Sequence, residues 1–145
     1  MKPPNKKRID PAAVMVKKST LPGVGKGLFA RIALNKGDII IEYKGRITTF
    51  KDIQDNPVLN PYVYFVNNEY VIDAMPFPDM PARYANDATG IIQKPGCTNN
   101  AGFKVVGKKV FIEAIAPILP GEEIFVDYGK SYWENIRHRL PKKSG

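Results

Sequence analysis

Residues 121–129 read Gly121-Glu122-Glu123-Ile124-Phe125-Val126-Asp127-Tyr128-Gly129. A glycine opens a turn, the β-prone run Glu123-Ile124-Phe125-Val126 predicts a strand, and a tyrosine follows that strand directly. A second stretch has the same layout. Phe29-Ala30-Arg31-Ile32, Gly37-Asp38 and Glu42-Tyr43-Lys44-Gly45 parallel Phe111-Ile112-Glu113-Ala114, Gly121-Glu122 and Asp127-Tyr128-Gly129. The spacings differ, so the match is either a true pseudo-repeat or shared hairpin chemistry. Under both readings each stretch delivers a tyrosine just after a strand.

Outward from these stretches the chain predicts short strands broken by turns. Ala13 to Val16, Leu28 to Leu34 and Ile39 to Tyr43 are β-prone, with the turn Asn35-Lys36-Gly37-Asp38 between the last two. Tyr62 to Val66 and Tyr70 to Asp73 flank Asn67-Asn68-Glu69, a hairpin signal. Phe103 to Val106 and Lys109 to Ala114 flank Gly107-Lys108, and Ser131 to Leu140 predicts a short helix. The 13 prolines and 12 glycines at these joints argue against long helices. Residues 74–102, with prolines at 76, 78, 81 and 95, are the least regular part, which in a compact domain marks a functional or disordered loop.

The 145 residues suit a single domain, and 43% hydrophobic with 25% charged residues is ordinary for a globular protein. No apolar run has the roughly 20 residues of a membrane span, and no apolar stretch follows the basic N-terminus as in a signal peptide. Cys97 is the sole cysteine, which excludes an internal disulfide and a cysteine-rich zinc cluster and fits a reducing compartment. The net charge of +8 is concentrated partly at the ends, at Lys2, Lys6, Lys7 and Arg8 and at Arg137, Arg139, Lys142 and Lys143. Such ends are either solvated tails or a means of steering a polyanionic partner.

Gly23-Val24-Gly25-Lys26-Gly27 lacks the full P-loop pattern. Gly25 to Ala30 fits the dinucleotide fingerprint, but a turn arrives where that fingerprint needs a helix. What remains is a glycine loop whose backbone can approach a ligand. His138 is the only histidine and stands in a basic tail, so neither a Ser-His-Asp triad nor a metal centre is supported. The chemistry therefore falls to the tyrosines.

Four segments in this order resemble the motifs of SET-domain protein lysine methyltransferases. Gly25-Lys26-Gly27-Leu28-Phe29-Ala30 resembles the first, a glycine loop over the methionine end of the cofactor, and Tyr43-Lys44-Gly45 the second. Arg83-Tyr84-Ala85-Asn86-Asp87, with Asn99-Asn100-Ala101, resembles the third, R-F-x-N-H-S…P-N; residues 121–129 resemble the fourth. The closing Tyr128-Gly129-Lys130-Ser131-Tyr132-Trp133 resembles the compact viral-type SET proteins, which lack flanking zinc segments. The likeness covers roughly residues 13–135. It departs at Asp87, where the family has histidine, at Ala88, where it has serine, and in the longer stretch between Asn86 and Asn99.

The resemblance implies a mainly β fold, a SET-type β-clip of small sheets with a threaded knot, plus short helices in the insert and at the C-terminus. The implied domain runs over 13–135 with a variable insert at 46–82, between basic tails at 1–12 and 136–145. The implied cofactor is S-adenosyl-L-methionine, held by Val24, Gly25, Lys26, Gly27, Arg83, Tyr84, Asn86, Asp87, Tyr128 and Trp133. Lys26 stands for the cofactor carboxylate and Asn86 for its amino group, while Trp133 packs on the adenine, closes the channel, or simply caps the core. Tyr128 and Tyr43 are the implied catalytic residues, and Phe103 and Val126 the end of the substrate channel. Neither carries a hydroxyl to restrain a methylated amine, which implies more than one methyl per lysine unless Tyr64 or Tyr70 sets the limit.

The implied partners are a protein with a target lysine, most often a histone tail, and a second copy in a homodimer; the implied location is nucleus or chromatin. A competing reading is a catalytically weakened SET-like binding module, supported by Asn86-Asp87-Ala88 and opposed by both tyrosines. A basic nucleic-acid-binding β protein has charge in its favour but lacks aromatics interleaved with Lys and Arg on paired strands.

Overall fold

A computed structural model describes residues 10–130 and 132–133. Asp10 caps a 3-10 turn, Pro11–Ala13, by accepting from the Ala12 amide. Three small antiparallel sheets follow. The first joins β1 (Val14–Lys18), β2 (Lys26–Ala30) and β9 (Glu123–Ile124) in the order β1-β2-β9. The second joins β3 (Ile39–Glu42), β7 (Ala101–Val106) and β8 (Lys109–Ala114) in the order β3-β8-β7.

The third sheet lies wholly within residues 46–82. It pairs β4 (Arg46–Thr48) and β5 (Val63–Asn67) on either side of β6 (Tyr70–Asp73), and holds the short helix α1 (Phe50–Asp55), capped by Thr49. Tight turns keep these strands short. At Asn35-Lys36-Gly37-Asp38 the Asn35 amide donates to the Asp38 carboxylate, and Gly37 takes φ +92°, open to glycine without a Cβ penalty.

The two look-alike stretches are hydrogen-bonded to each other. The Ala30 amide donates to the Glu122 carbonyl, and Gly121 to Ala30. Leu34 and Ile118 exchange both bonds, Gly37 donates to Ala114, and Ala114 donates to Asp38. Alternation along β8 turns Val110, Ile112 and Ala114 inward, and with Leu28, Ile40, Ile118, Ile124 and Val126 they form one continuous core.

The strand expected over 123–126 is shorter than its β propensity suggests. Only Glu123 and Ile124 pair with β2; Phe125 and Val126 instead make isolated parallel bridges to Asn86 and Ala101. The segment leaves its sheet to run between the two halves of the irregular loop. Val126 donates to the Asn86 carbonyl on one side, while the Asn100 and Ala101 amides donate to Phe125 on the other. The Asn100 side chain completes the clamp, donating to the Glu123 carbonyl at 2.9 Å and accepting from the Phe125 amide at 2.9 Å. Residues 1–9 and 136–145 of the expected tails, His138, and most of the expected helix 131–140 lie outside the described residues; Lys130, Tyr132 and Trp133 are helical.

Gly45, just after Tyr43, sits against the third sheet. A Cβ there would come within 2.4 Å of the Asp73 carbonyl oxygen and 2.8 Å of the Ala74 amide nitrogen, both backbone atoms with little freedom to move. Gly45→Ala is therefore expected to cost about 1–3 kcal/mol, the usual range for forced overpacking. A urea titration measures this as a lowered midpoint at unchanged slope.

Candidate functional site

The glycine loop, the irregular loop and β9 meet on one buried carboxylate. Glu123, only 6% exposed, accepts from Ser19 Oγ at 2.6 Å, from the Thr20 amide at 2.8 Å and from Thr20 Oγ1 at 2.6 Å. Asn86 Nδ2 reaches the same carboxylate at 3.4 Å and donates to the Lys26 carbonyl at 3.0 Å. Gly27 is glycine because of this cluster: its Cβ would lie 2.3 Å from Glu123 Oε2.

Lys26 and Asn86 also line an open cavity of about 530 Å³, a size suited to a small-molecule ligand. The loop residues Val24, Gly25 and Lys26 form one wall, and Arg83, Tyr84 and Asn86 another. Tyr128, Tyr132 and Trp133 close the C-terminal side, while Leu59, Pro61 and Tyr62 reach in from the segment between α1 and β5. Lys26 stands 5.7 Å from the Tyr84 ring centre. Arg83 stacks on Tyr62 and Tyr84 and donates from Nη1 to the Ala74 and Met75 carbonyls. Its Nε is buried with no acceptor among the described residues.

Beside this cavity is a narrow space of about 20 Å³ lined by Tyr43, Tyr64, Phe103, Tyr128 and Tyr132, with Pro61, Val63, Arg83 and Ala85. The rings form a continuous set. Tyr43 meets Phe103 edge-on at 5.9 Å, Tyr64 lies 4.8 Å from Phe103, and Tyr128 lies 4.6 Å from Tyr132. The Tyr128 hydroxyl donates to the Ala85 carbonyl, and the Tyr132 hydroxyl to Pro61 at 3.0 Å.

Burial pushes the Tyr43, Tyr128 and Tyr132 hydroxyls well above the usual tyrosine range, and neighbouring tyrosines and acids reinforce the shift. All three remain neutral at physiological pH. They can donate and accept hydrogen bonds but cannot serve as standing phenolate bases.

Of the residues expected at the site, Val24, Gly25, Lys26, Arg83, Tyr84, Asn86, Tyr128 and Trp133 line the large cavity, and Tyr43, Phe103 and Tyr128 line the narrow one. Gly27, Asp87 and Val126 line neither. Gly27 packs on Glu123, the Asp87 carboxylate is taken up by internal hydrogen bonds, and Val126 is fully buried in the core. Tyr132, Pro61 and Tyr62 line the site yet were not singled out, and Glu123 braces the loops around it without lining either cavity. Tyr132, one residue before Trp133 on a helical turn, carried the clearest signal. Among the described residues no group of three or more His, Cys, Asp or Glu could hold a metal, and no helix is long and apolar enough to cross a membrane.

This fold is that of a SET domain. Residues 25–129 match that family, and the chain belongs to it. It is 31% identical over 127 residues to histone-lysine N-methyltransferase 2D of Homo sapiens, covering 83% of this chain and 2% of that protein. A humanized mutant of the Chaetomium thermophilum Polycomb Repressive Complex 2 superimposes with a TM-score of 0.65 at 27% identity, over 81% of this chain and 15% of that one. The ctPRC2 structure in an autoinhibited conformation, bound to S-adenosylmethionine, gives 0.63 at 24% identity, over 88% and 17%, and bears on the fold alone. The cofactor of SET methyltransferases is S-adenosyl-L-methionine.

The large cavity suits that cofactor chemically. Lys26 and Arg83 offer cations for a carboxylate. The Asn86 amide nitrogen is committed to Lys26 and Glu123, which leaves the amide oxygen as the acceptor for an ammonium group. Tyr84 and Trp133 offer ring faces for adenine.

Replacing Glu123 by Gln puts an NH₂ group among donors that need acceptors. Glu123→Gln is expected to lose about 1.5–3 kcal/mol of stability, the range for hydrogen bonds to a charged group. Chemical denaturation of the variant against wild type measures this directly.

Proposed function

We propose that this chain is an S-adenosylmethionine-dependent protein-lysine N-methyltransferase. The observation that carries the reading is the shared wall: Pro61, Arg83, Tyr128 and Tyr132 line both the cofactor-sized cavity and the narrow aromatic space. Two reactants entering from opposite sides would meet at Tyr128. S-adenosylmethionine supplies, when bound, an electrophilic methyl carbon on a sulfonium.

The residues supply alignment, dryness and hydrogen bonds. Val24, Gly25, Lys26, Arg83 and Asn86 hold the amino-acid end of the cofactor, and Tyr84 and Trp133 bracket the rest. Tyr43, Tyr64, Phe103, Tyr128 and Tyr132 strip water from the incoming lysine. An ammonium has an ordinary pKa near 10.4, and desolvation by the ring faces lowers it toward the neutral nucleophile. The Tyr43 and Tyr128 hydroxyls then hold the amine in line. The amine sheds its proton to solvent, since no side chain of the channel is a base at neutral pH.

The named relatives act on histones, so a histone tail is the first candidate, with a chromatin location. A homodimer and recruitment by basic ends remain part of the proposal. Incubating the protein with labelled cofactor, histones and peptide arrays, then reading products by mass spectrometry, tests the reading. Cofactor binding without transfer to any of them would favour the alternative of a binding module.

The tyrosine ionisations give a sharper test. Because the hydroxyls stay protonated throughout the accessible range, the rate should climb with pH along the target lysine's own ionisation. Tyr128→Phe should lower that whole profile by about 100-fold or more without displacing it, at nearly unchanged cofactor affinity. A displaced profile would show that the tyrosine itself ionises.

Product multiplicity depends on the narrow space. Phe103 lines it without a hydroxyl, whereas Val126 is buried away from it, so Phe103 is the better candidate. The wild-type protein is expected to add more than one methyl, and Phe103→Tyr to shift products toward monomethyl-lysine. Tyr64, 4.8 Å from Phe103, is the competing determinant, and Tyr64→Phe in parallel separates the two by counting methyl states.

A further inference from the structure

Asp87 stands where SET domains usually carry histidine, and it is the most heavily hydrogen-bonded side chain of the irregular loop. Its Oδ1 accepts from the Thr89 amide and Thr89 Oγ1, both at 2.8 Å, and from Asn99 Nδ2 at 3.0 Å. Its Oδ2 accepts from the Tyr128 amide at 3.0 Å and from the Trp133 indole Nε1 at 2.7 Å. Asp87 is only 4% exposed. A neutral imidazole accepts at one nitrogen, so histidine could not satisfy these five donors. The longer loop that follows is shaped to the same indole. Gly90 is buried beneath Trp133, where a Cβ would lie 2.0 Å from Cζ2, and the indole stacks on Tyr128 at 5.7 Å.

We infer that Asp87 is a positioning residue, whose carboxylate latches the Trp133 indole and the Tyr128 backbone into the wall of the large cavity. The inference rests on reading that cavity as the cofactor site. Asp87 itself does not line the cavity; Trp133 and Tyr128 do. One carboxylate thus joins the irregular loop to the C-terminal turn, and the departure from histidine is matched by the indole that uses it. Burial alone would raise the Asp87 carboxyl, but the bonds from Trp133, Tyr128, Asn99 and Thr89 outweigh it and hold the group below the usual carboxylate range.

Trp133 is the only tryptophan of the chain, so its fluorescence reports the latch without any turnover. Three variants, Asp87→Asn, Trp133→Phe and the double, are compared with wild type by calorimetric titration of S-adenosylmethionine and by unfolding. Asp87→Asn turns an NH₂ toward one of the two donor sets and should red-shift the indole emission of the unliganded protein. Trp133→Phe keeps a ring and removes only the donor and the indole's outer ring. Each single variant should weaken cofactor binding about tenfold, the equivalent of one hydrogen bond to a charged group, and the double should be no weaker than the worse single.

Unchanged emission in Asp87→Asn, or additive losses in the double, would overturn the latch while leaving the cofactor reading intact. A wild-type protein that shows the emission shift on mutation but binds no S-adenosylmethionine would overturn the cofactor reading and its dependence on Asp87, not the contact. If Asp87→Asn does not fold, folded Trp133→Phe with wild-type affinity overturns the inference on its own.

Discussion

A carboxylate with almost no access to water must find donors, and Glu123 finds them in segments far apart in the chain. The bonds from Ser19 and Thr20 bring the start of the glycine loop onto β9, and the Asn86 contact brings in the irregular loop. A buried charge left without partners costs several kcal/mol, so these segments cannot drift apart without exposing it or losing that energy. The same charge also dictates the residue at position 27, where anything larger than glycine would strike the carboxylate. The cluster reaches the large cavity through Asn86, which lines it and donates to the Lys26 carbonyl, so the bracing of that wall is in part an electrostatic requirement.

One physical effect, desolvation, acts with opposite sign on acids and on cationic bases. In the narrow space it raises the tyrosine hydroxyls and keeps them neutral; an ammonium brought into the same space would be lowered toward its neutral form. An added histidine or carboxylate base would weaken the second effect by bringing charge and water into the channel.

The sequence made the strands and turns legible because both are local. The hairpin around Asn67-Asn68-Glu69, the Gly37 turn and the alternation of β8 depend on neighbours a few residues away. β4 was missed, since Arg46-Ile47-Thr48 is short and half-exposed and becomes a strand only by pairing with β6. The extent of β9 was overcalled for the converse reason: Phe125 and Val126 are β-prone, but their partners are Asn86 and Ala101 rather than β2. Motif order placed most of the residues that line the two cavities. It could not give Asp87 its partners, because Trp133 lies 46 positions away and nothing local links an acid to an indole. The mutual pairing of the two look-alike stretches was likewise open, since a gapped sequence match says nothing about which strand bonds to which.

The narrow space has room for about one water, which needs roughly 10–15 Å³, and so not for the four-carbon stem of a lysine. Some wall must yield if a lysine enters. Tyr128 is tied by its hydroxyl to Ala85 and by its amide to Asp87, and Tyr43 is buried against Phe103 with its amide bonded to Val110. Phe103 lies within β7, paired with Ile112. These three are held by the core. Tyr132 and Pro61 are not: one lies on the C-terminal helical turn, the other is an exposed residue between α1 and β5, and a single hydroxyl-to-carbonyl bond joins them. Parting that bond costs on the order of 1 kcal/mol, far less than moving a core aromatic. Because Tyr132 and Pro61 line the large cavity too, parting them would reshape the walls of both spaces at once.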